Sequence, residues 1–327
     1  MHSPQPSRQK LRVVVTRRLP EAVETRMKEL FDVVLRDDDA KMSRDDLAAA
    51  MRGADVLVPT VTDHIDANLL AQAGERLKLI ANFGAGVDHI DVHSARQRGI
   101  LVTNTPGVVT EDTADMVMAL ILGVTRRIPE GMAEMQAGRW GGWAPTAHLG
   151  GRVGGRRLGI LGMGRIGQAV ARRARGFDME IHYHNRRRLP AGEESGAIYH
   201  ANADDLLAVA DFLSIHSPAN PETHHWLNAE RIARLPDGAV VVNTARGSVV
   251  DDEALLAALA SGKLAAAGLD VFENEPRLHP GYAAAPNTFL LPHLGSATDR
   301  TRDAMGFTAL NNLDAFFAGR ELPNRVA

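Results

Sequence analysis

Arg157-Leu-Gly-Ile-Leu-Gly-Met-Gly-Arg-Ile-Gly-Gln-Ala-Val170 decides how this chain is read. An apolar run ending at Leu161 passes directly into Gly162-x-Gly164-x-x-Gly167, and helical spacing follows. In that setting Gly162 permits a tight turn, Gly164 lets backbone approach a pyrophosphate, and Gly167 lets a helix pack close on the strand. A helix opening there presents unpaired N–H groups and the positive end of its dipole to phosphates. Glycine-rich turns also arise for purely structural reasons. The strand before and the helix after favour dinucleotide binding, with Gly162, Met163, Gly164, Arg165, Ile166 and Gly167 against the phosphates.

Outward from this stretch, short apolar runs alternate with helical patterns. Upstream lie Leu11–Thr16, a helix opening at Pro20, Val33–Leu35, Ala54–Val58, Leu77–Ala81 and Ile100–Thr103. Ser43 and Asp46 are placed as a capping box for a helix over Ser43–Met51. Thr110–Arg127 reads as a long helix, and Gly138–Gly155 as a Gly/Trp/Pro-rich stretch with little periodicity. Downstream the apolar runs are Met179–Tyr183, Asp211–Ile215, Gly238–Val242, Ala265–Leu269 and Thr288–Leu291, then a helix near Ala297–Ala318. Alternating β and α units imply parallel sheets covered on both faces. The expected fold is therefore α/β, with two doubly wound domains joined by long helices and a cleft between them. Residues 1–104 and 297–327 form a flavodoxin-like substrate domain in this reading, and 105–296 an inserted Rossmann cofactor domain.

Composition narrows the chemistry. A length of 327 residues suits two domains. A net charge of -3 does nothing to recruit nucleic acid or an anionic membrane. With no cysteine, disulfides, thiolate metal sites, Fe–S clusters and a thiol nucleophile are excluded. Met1–Lys10 is polar, lacks the apolar run of a signal peptide, and reads as a frayed lead-in. No stretch reaches transmembrane length, so a cytoplasmic protein is expected.

The end of the strand after the glycine loop discriminates between cofactors. An acid there would bond the ribose 2′-OH of NAD, whereas arginine suits the 2′-phosphate of NADP. Tyr183 is followed by His184-Asn185-Arg186-Arg187-Arg188, with no acid. A solvated charge run is the plain alternative; the position favours NADP(H), held by Asn185, Arg186 and Arg187, with NAD(H) possible.

Reduction of a carbonyl next to a carboxylate needs an anchor for the carboxylate, stabilisation of the developing alkoxide, and a proton donor. Three segments following apolar runs supply suitable groups: Val240-Val-Val-Asn-Thr-Ala-Arg246-Gly-Ser, Ala266-Ala-Gly-Leu-Asp270-Val-Phe-Glu-Asn-Glu275-Pro, and Leu290-Leu-Pro-His293-Leu-Gly-Ser. Each residue alone has an ordinary reading: a surface histidine among 13, a turn glutamate before proline, an ion-pairing arginine. Packing gives no reason for all three together.

These segments, with Asn82-Phe-Gly-Ala-Gly-Val-Asp-His-Ile-Asp91, resemble the D-isomer-specific 2-hydroxyacid dehydrogenase family over essentially the whole chain. With His184–Arg188 the likeness is greatest to its glyoxylate and hydroxypyruvate reductase branch. The resemblance implies that Arg246 binds the substrate carboxylate and polarises the carbonyl, and that His293 is the general acid of reduction. Glu275 would orient the imidazole and favour its protonated form. The amides of Gly84, Ala85 and Gly86 would complete a carboxylate cradle, and Asp270 would meet the nicotinamide carboxamide. Thr110, Ser217, Pro218 and Thr244 would touch the cofactor, and Trp140 the substrate. A homodimer is implied, built through the Thr110–Gly150 region, acting on a small 2-keto or 2-hydroxy acid.

Two alternatives stay open. One is another dehydrogenase of the superfamily; formate enzymes generally carry Gln where this chain has Glu275. The other is a dinucleotide-sensing binding protein like the C-terminal-binding-protein corepressors, which are expected to carry long polar tails. No metal site is expected: His224 and His225 would diverge on any regular element, and His182, His184 and His216 lack acidic or thiolate partners. Ser248 lacks a nucleophile-elbow context.

Overall fold

A computed structural model describes residues 11–327, so the expectation for Met1–Lys10 lies outside the described residues. Among the described residues twelve strands form two sheets, and every strand pairing in both is parallel. The first sheet contains β1 (Arg12–Val15), β2 (Asp32–Val34), β3 (Val56–Val58), β4 (Leu79–Ala81) and β5 (Leu101–Thr103). The second contains β6 (Arg157–Leu161), β7 (Glu180–His184), β8 (Ile198–Tyr199), β9 (Phe212–Ile215), β10 (Ala239–Asn243), β11 (Leu264–Leu269) and β12 (Thr288–Leu290).

The chain divides into two compact units: residues 11–109 with 298–327, and Thr110–Ala297. In the first unit the strand order is β2-β1-β3-β4-β5, the flavodoxin-like doubly wound order. Alternate residues face opposite cores. Val14, Leu57, Ile80 and Val102 meet Leu47, Met51, Leu69 and Leu70 on one side. On the other, Val13, Val15, Val56 and Leu79 meet Val23, Met27, Met305 and Leu313. The final helix, Asp299–Phe317, belongs here because its apolar stripe completes that second core. Helix Arg44–Gly53 is capped by Ser43, with Asp46 returning the bond as a capping box.

In the second unit the order is β12-β11-β10-β9-β6-β7-β8, a Rossmann arrangement extended by a seventh strand. Every residue of β9 and β10 is buried, which continuous apolar runs such as Val240-Val241-Val242 require. Helices Thr110–Thr125 and Arg165–Arg175 cover one face, and Ala203–Val209, Ala229–Arg234 and Asp252–Ala260 the other. Two elements escaped the pattern reading. Strand β8 is two residues long, and helix Ile128–Gln136 buries no residue, so neither leaves a clear periodic signal.

A buried aspartate sets the start of both sheets in the same way. Asp55, before β3, accepts the N–H of Arg12 at 2.8 Å and pairs with Arg76. Asp211, before β9, accepts the N–H of Arg157 at 2.9 Å and pairs with its guanidinium. Each thus ties the first strand of its sheet to the neighbour across the switch in strand order.

Candidate active site

All the parallel strands of the second unit present their C-terminal ends along one edge, where α/β sheets bind ligands. The edge carries Gly162 after β6, Asn185–Arg187 after β7, Ser217 and Pro218 after β9, Thr244–Arg246 after β10, Asp270–Glu275 after β11, and His293 after β12.

At the glycine loop the main chain turns through Gly162 at φ +97°, and a Cβ there would lie 2.9 Å from the His216 carbonyl. Only glycine meets both demands. A Cβ on Gly167 would come within 2.5 Å of the Gly162 carbonyl oxygen, which is the close helix–strand approach expected. Gly164 meets nothing within 4 Å, so no protein atom explains its lack of a side chain. It is the N-cap of helix Arg165–Arg175 and makes no side-chain cap bond, leaving that terminus open to an anion. Nearby, the hydroxyls of Ser217 and Thr244 are buried without a hydrogen-bond partner. Open backbone and orphaned hydroxyls on one edge fit a bound dinucleotide. His216 bonds Ser214 at 2.8 Å, and burial pushes its imidazole down to about 4, leaving it neutral beside the loop at pH 7.

After β7 the cations divide. Arg188 is engaged: its guanidinium holds Glu194 at 2.8 and 3.0 Å and lies over the Tyr199 ring. Asn185 accepts the Met163 N–H at 2.6 Å, so it braces the glycine loop. Arg186 and Arg187 are exposed and have no ion pair among the described residues. Of three clustered arginines, two are therefore available to a phosphate.

Arg246, Glu275 and His293 come together in this unit. His293 Nδ1 lies 2.9 Å from Glu275 Oε2, while Glu275 Oε1 accepts the Phe272 N–H at 2.9 Å. Burial acts to raise the Glu275 carboxyl; the His293 bond and charge, the Phe272 amide and the Arg246 charge outweigh it and hold the group below its ordinary value. Glu275 is therefore an anion at neutral pH, suited to supporting an imidazolium.

Three supporting features were not legible as such in the sequence. Asn243, fully enclosed at the end of β10, donates to the Arg246 carbonyl at 2.9 Å and accepts the Ala245 N–H at 2.9 Å. Gly247 packs so tightly on the next loop that a Cβ would lie 1.9 Å from the Phe272 carbonyl carbon. Asp270 collects three consecutive amides: its carbonyl takes the His293 N–H at 3.0 Å, and its carboxylate oxygens take those of Leu294 and Gly295 at 2.6 and 2.7 Å. Burial raises its carboxyl against the pull of those amides. Thr113 adds a bond to the Gly295 carbonyl at 3.0 Å. For Asp270 the family resemblance implied a contact with the nicotinamide carboxamide and left its hold on this loop unmarked. Thr110 opens helix Thr110–Thr125.

In the first unit, the loop after β4 is held from within. Asn82 Nδ2 donates to the carbonyls of Gly84 and Gly86 at 3.0 and 2.8 Å, and Asn104 to that of Ala85 at 2.7 Å. With those carbonyls turned inward, no hydrogen bond among the described residues uses the N–H groups of Gly84, Ala85 and Gly86. Such a row of free donors suits an anion.

Two expectations about histidine fail. His224 and His225 do not diverge: they lie in a turn, His225 adopts φ +46°, and their ring centroids are 4.0 Å apart. His182 does have an acidic partner, with Nε2 2.9 Å from Glu180 and Nδ1 2.9 Å from His200. Trp140 is 56% exposed.

This geometry has close parallels. Residues 118–295 match the model of the D-isomer specific 2-hydroxyacid dehydrogenase NAD binding domain. The chain is 40% identical over 320 residues to a glycerate dehydrogenase of Hyphomicrobium methylovorum, covering 97% of this chain and 99% of that one. It is 42% identical to a glyoxylate reductase of Thermococcus litoralis, covering 97% of each. Among solved structures, the NADPH-dependent glyoxylate/hydroxypyruvate reductase of Sinorhizobium meliloti, in complex with NADP and malonate, matches with TM-score 0.87 at 36% identity over 97% of each chain. The chain belongs to the D-isomer-specific 2-hydroxyacid dehydrogenase family and is an NAD(P)-dependent oxidoreductase.

Proposed function

We propose that this enzyme reduces small 2-keto acids, glyoxylate and hydroxypyruvate among them, to 2-hydroxy acids, with NADPH preferred over NADH. The observation that carries the reading is the 2.9 Å His293–Glu275 bond on the same strand-end edge as Arg246 and the glycine loop. The nicotinamide, when bound, supplies the hydride that reduces the carbonyl carbon. His293 delivers the proton to the carbonyl oxygen from the ring nitrogen that Glu275 does not hold. Glu275 keeps the ring oriented and stabilises its positive charge before transfer. Arg246 binds the substrate carboxylate and draws electron density from the carbonyl. The free amides of Gly84, Ala85 and Gly86 are assigned to carboxylate recognition. Asp270 holds the His293 loop through one amide on each carboxylate oxygen, and each oxygen keeps a second acceptor site that is assigned to the nicotinamide carboxamide.

Arg186 and Arg187 support the preference for a 2′-phosphate, as does the absence of an acid at the end of β7. The glyoxylate/hydroxypyruvate reductase of Sinorhizobium meliloti is named as NADPH-dependent, and the Thermococcus litoralis relative as a glyoxylate reductase. A homodimer fits the surface: Ile128, Met132 and Met135 share one stripe of an unburied helix and are 44%, 52% and 59% exposed, followed by exposed Trp140, Trp143 and Leu149. Steady-state rates with glyoxylate, hydroxypyruvate, pyruvate and phenylpyruvate, each with NADPH and NADH, test the assignment. The expected outcome is the highest kcat/KM for glyoxylate or hydroxypyruvate with NADPH; a higher value for NADH, or turnover confined to phenylpyruvate, refutes it.

A further inference from the structure

Away from the residues assigned to chemistry, a turn on the second unit places two imidazoles against a carboxylate. We propose that His224, His225 and Glu273 form a binding site for a divalent transition-metal ion of the zinc class. The turn begins at Asn220, whose carbonyl accepts the N–H groups of Thr223 and His224 at 3.1 and 3.0 Å. His225 then takes a left-handed conformation at φ +46° and donates its N–H to the Ser248 carbonyl at 2.7 Å. That reversal is what brings the rings of sequence neighbours to one side, 4.0 Å apart and 30° from parallel. Glu273 faces both, with Oε1 3.0 Å from His225 Nε2 and 3.8 Å from His224 Nδ1.

One potential ligand atom from each residue lies within 4.8 Å of the other two. Zinc bonds to nitrogen and oxygen of about 2.0–2.2 Å place tetrahedral ligands roughly 3.3 Å apart, so small side-chain rotations close the set. Two imidazoles and one carboxylate select zinc over magnesium or calcium, which favour oxygen. Side-chain exposures of 56%, 38% and 25% leave the group open to ions, and three ligands leave a position for water. The site also joins three segments. His225 is bonded to Ser248, and the Phe272–Glu273 backbone packs on Gly247. A bound ion would therefore brace the loops that carry Arg246 and Glu275 without touching either residue. This inference does not depend on the substrate assignment.

Calorimetric titration of the untagged, chelator-treated full chain with zinc chloride, paired with thermal melts, tests the site. One zinc ion per chain is expected, with Tm raised roughly 5 °C at a hundredfold excess over Kd and no response to magnesium chloride. Binding should release protons, because a metal ion takes its ligands in their deprotonated forms. His224→Ala and Glu273→Gln should each weaken binding at least about tenfold, while His279→Ala, paired elsewhere with Glu253, should bind as the parent does. His224 is more than half exposed, so its variant should melt like the parent without zinc; if it misfolds, Glu273→Gln gives the same answer. No stoichiometric binding, or variants that retain the parent affinity, overturns the site.

Discussion

His293 occupies φ +57°, a conformation that costs a non-glycine residue roughly 1–3 kcal/mol and persists only where its surroundings impose it. Asp270 imposes it by capturing the amides of residues 293, 294 and 295. Replacing a general acid costs about 10²- to 10⁴-fold, so His293→Ala should lower kcat by that range with the fold intact by circular dichroism. Parent-like turnover would remove His293 from the chemistry. Arg246→Ala should lose roughly one to two decades in kcat/KM, the equivalent of a charge-assisted bond of about 1.5–3 kcal/mol, and should affect KM as well as kcat. Asp270→Asn turns an amide donor toward a backbone donor; it should destabilise the protein by about 1.5–3 kcal/mol in denaturant titrations and lower kcat through the displaced loop. A variant that loses activity with no change in stability would instead assign Asp270 to the cofactor alone.

Among the elements, the junction of β6 with β9 depends on one carboxylate. Burial alone would raise the Asp211 carboxyl, but the Arg157 side chain and N–H, together with the Arg156 charge, bring it down to about 2. A carboxyl depressed from 3.8 contributes stability that is present above the ordinary value and is lost as pH falls toward about 2. With arginines 46% and 40% exposed, that contribution is about 2 kcal/mol at most. Asp211→Asn should therefore lower stability near neutral pH and approach the parent by pH 2, as measured by urea unfolding at each pH. An undiminished difference at pH 2 would attribute the effect to packing. Gly247→Ala introduces a methyl where the next backbone already sits; a cost of roughly 1–3 kcal/mol and a shift of the Glu275 loop are expected.

Over the whole molecule, the proposed NADPH preference and the proposed homodimer both rest on exposed side chains. Arg186→Ala with Arg187→Ala should raise the KM for NADPH while leaving NADH use nearly unchanged; equal losses with both cofactors would return these residues to being a solvated charge run. If the exposed stripe of helix Ile128–Gln136 meets a second copy, Met132→Glu with Met135→Glu should halve the mass measured by light scattering. The same mass for parent and variant would place the interface elsewhere. No helix among the described residues is long and apolar enough to cross a membrane.

Apolar runs of three to six residues between helical patterns were enough to determine parallel sheets, because a strand buried on both faces must be apolar throughout and a parallel return needs a crossover. Gly162-x-Gly164-x-x-Gly167 likewise determined the tight turn from β6 into its helix, since steric limits on the backbone act within a few residues. Arg246, Glu275 and His293 were nameable from their segments, and the family resemblance implied that Glu275 orients the imidazole; the 2.9 Å bond itself, between residues 18 apart, forms only once β11 and β12 lie side by side. The same holds for Arg188, which the Glu194 carboxylate six residues on removes from the cation cluster, and for Asp270, turned to the loop beside it. His224 and His225 make the point most sharply. Their divergence follows from any regular element, whereas their convergence depends on one left-handed residue in a turn whose shape is imposed by bonds to Ser248 and Glu273. Local spacing reports what the backbone must do within a few residues; which polar groups are consumed and which stay free is decided by partners that only the folded chain brings into reach.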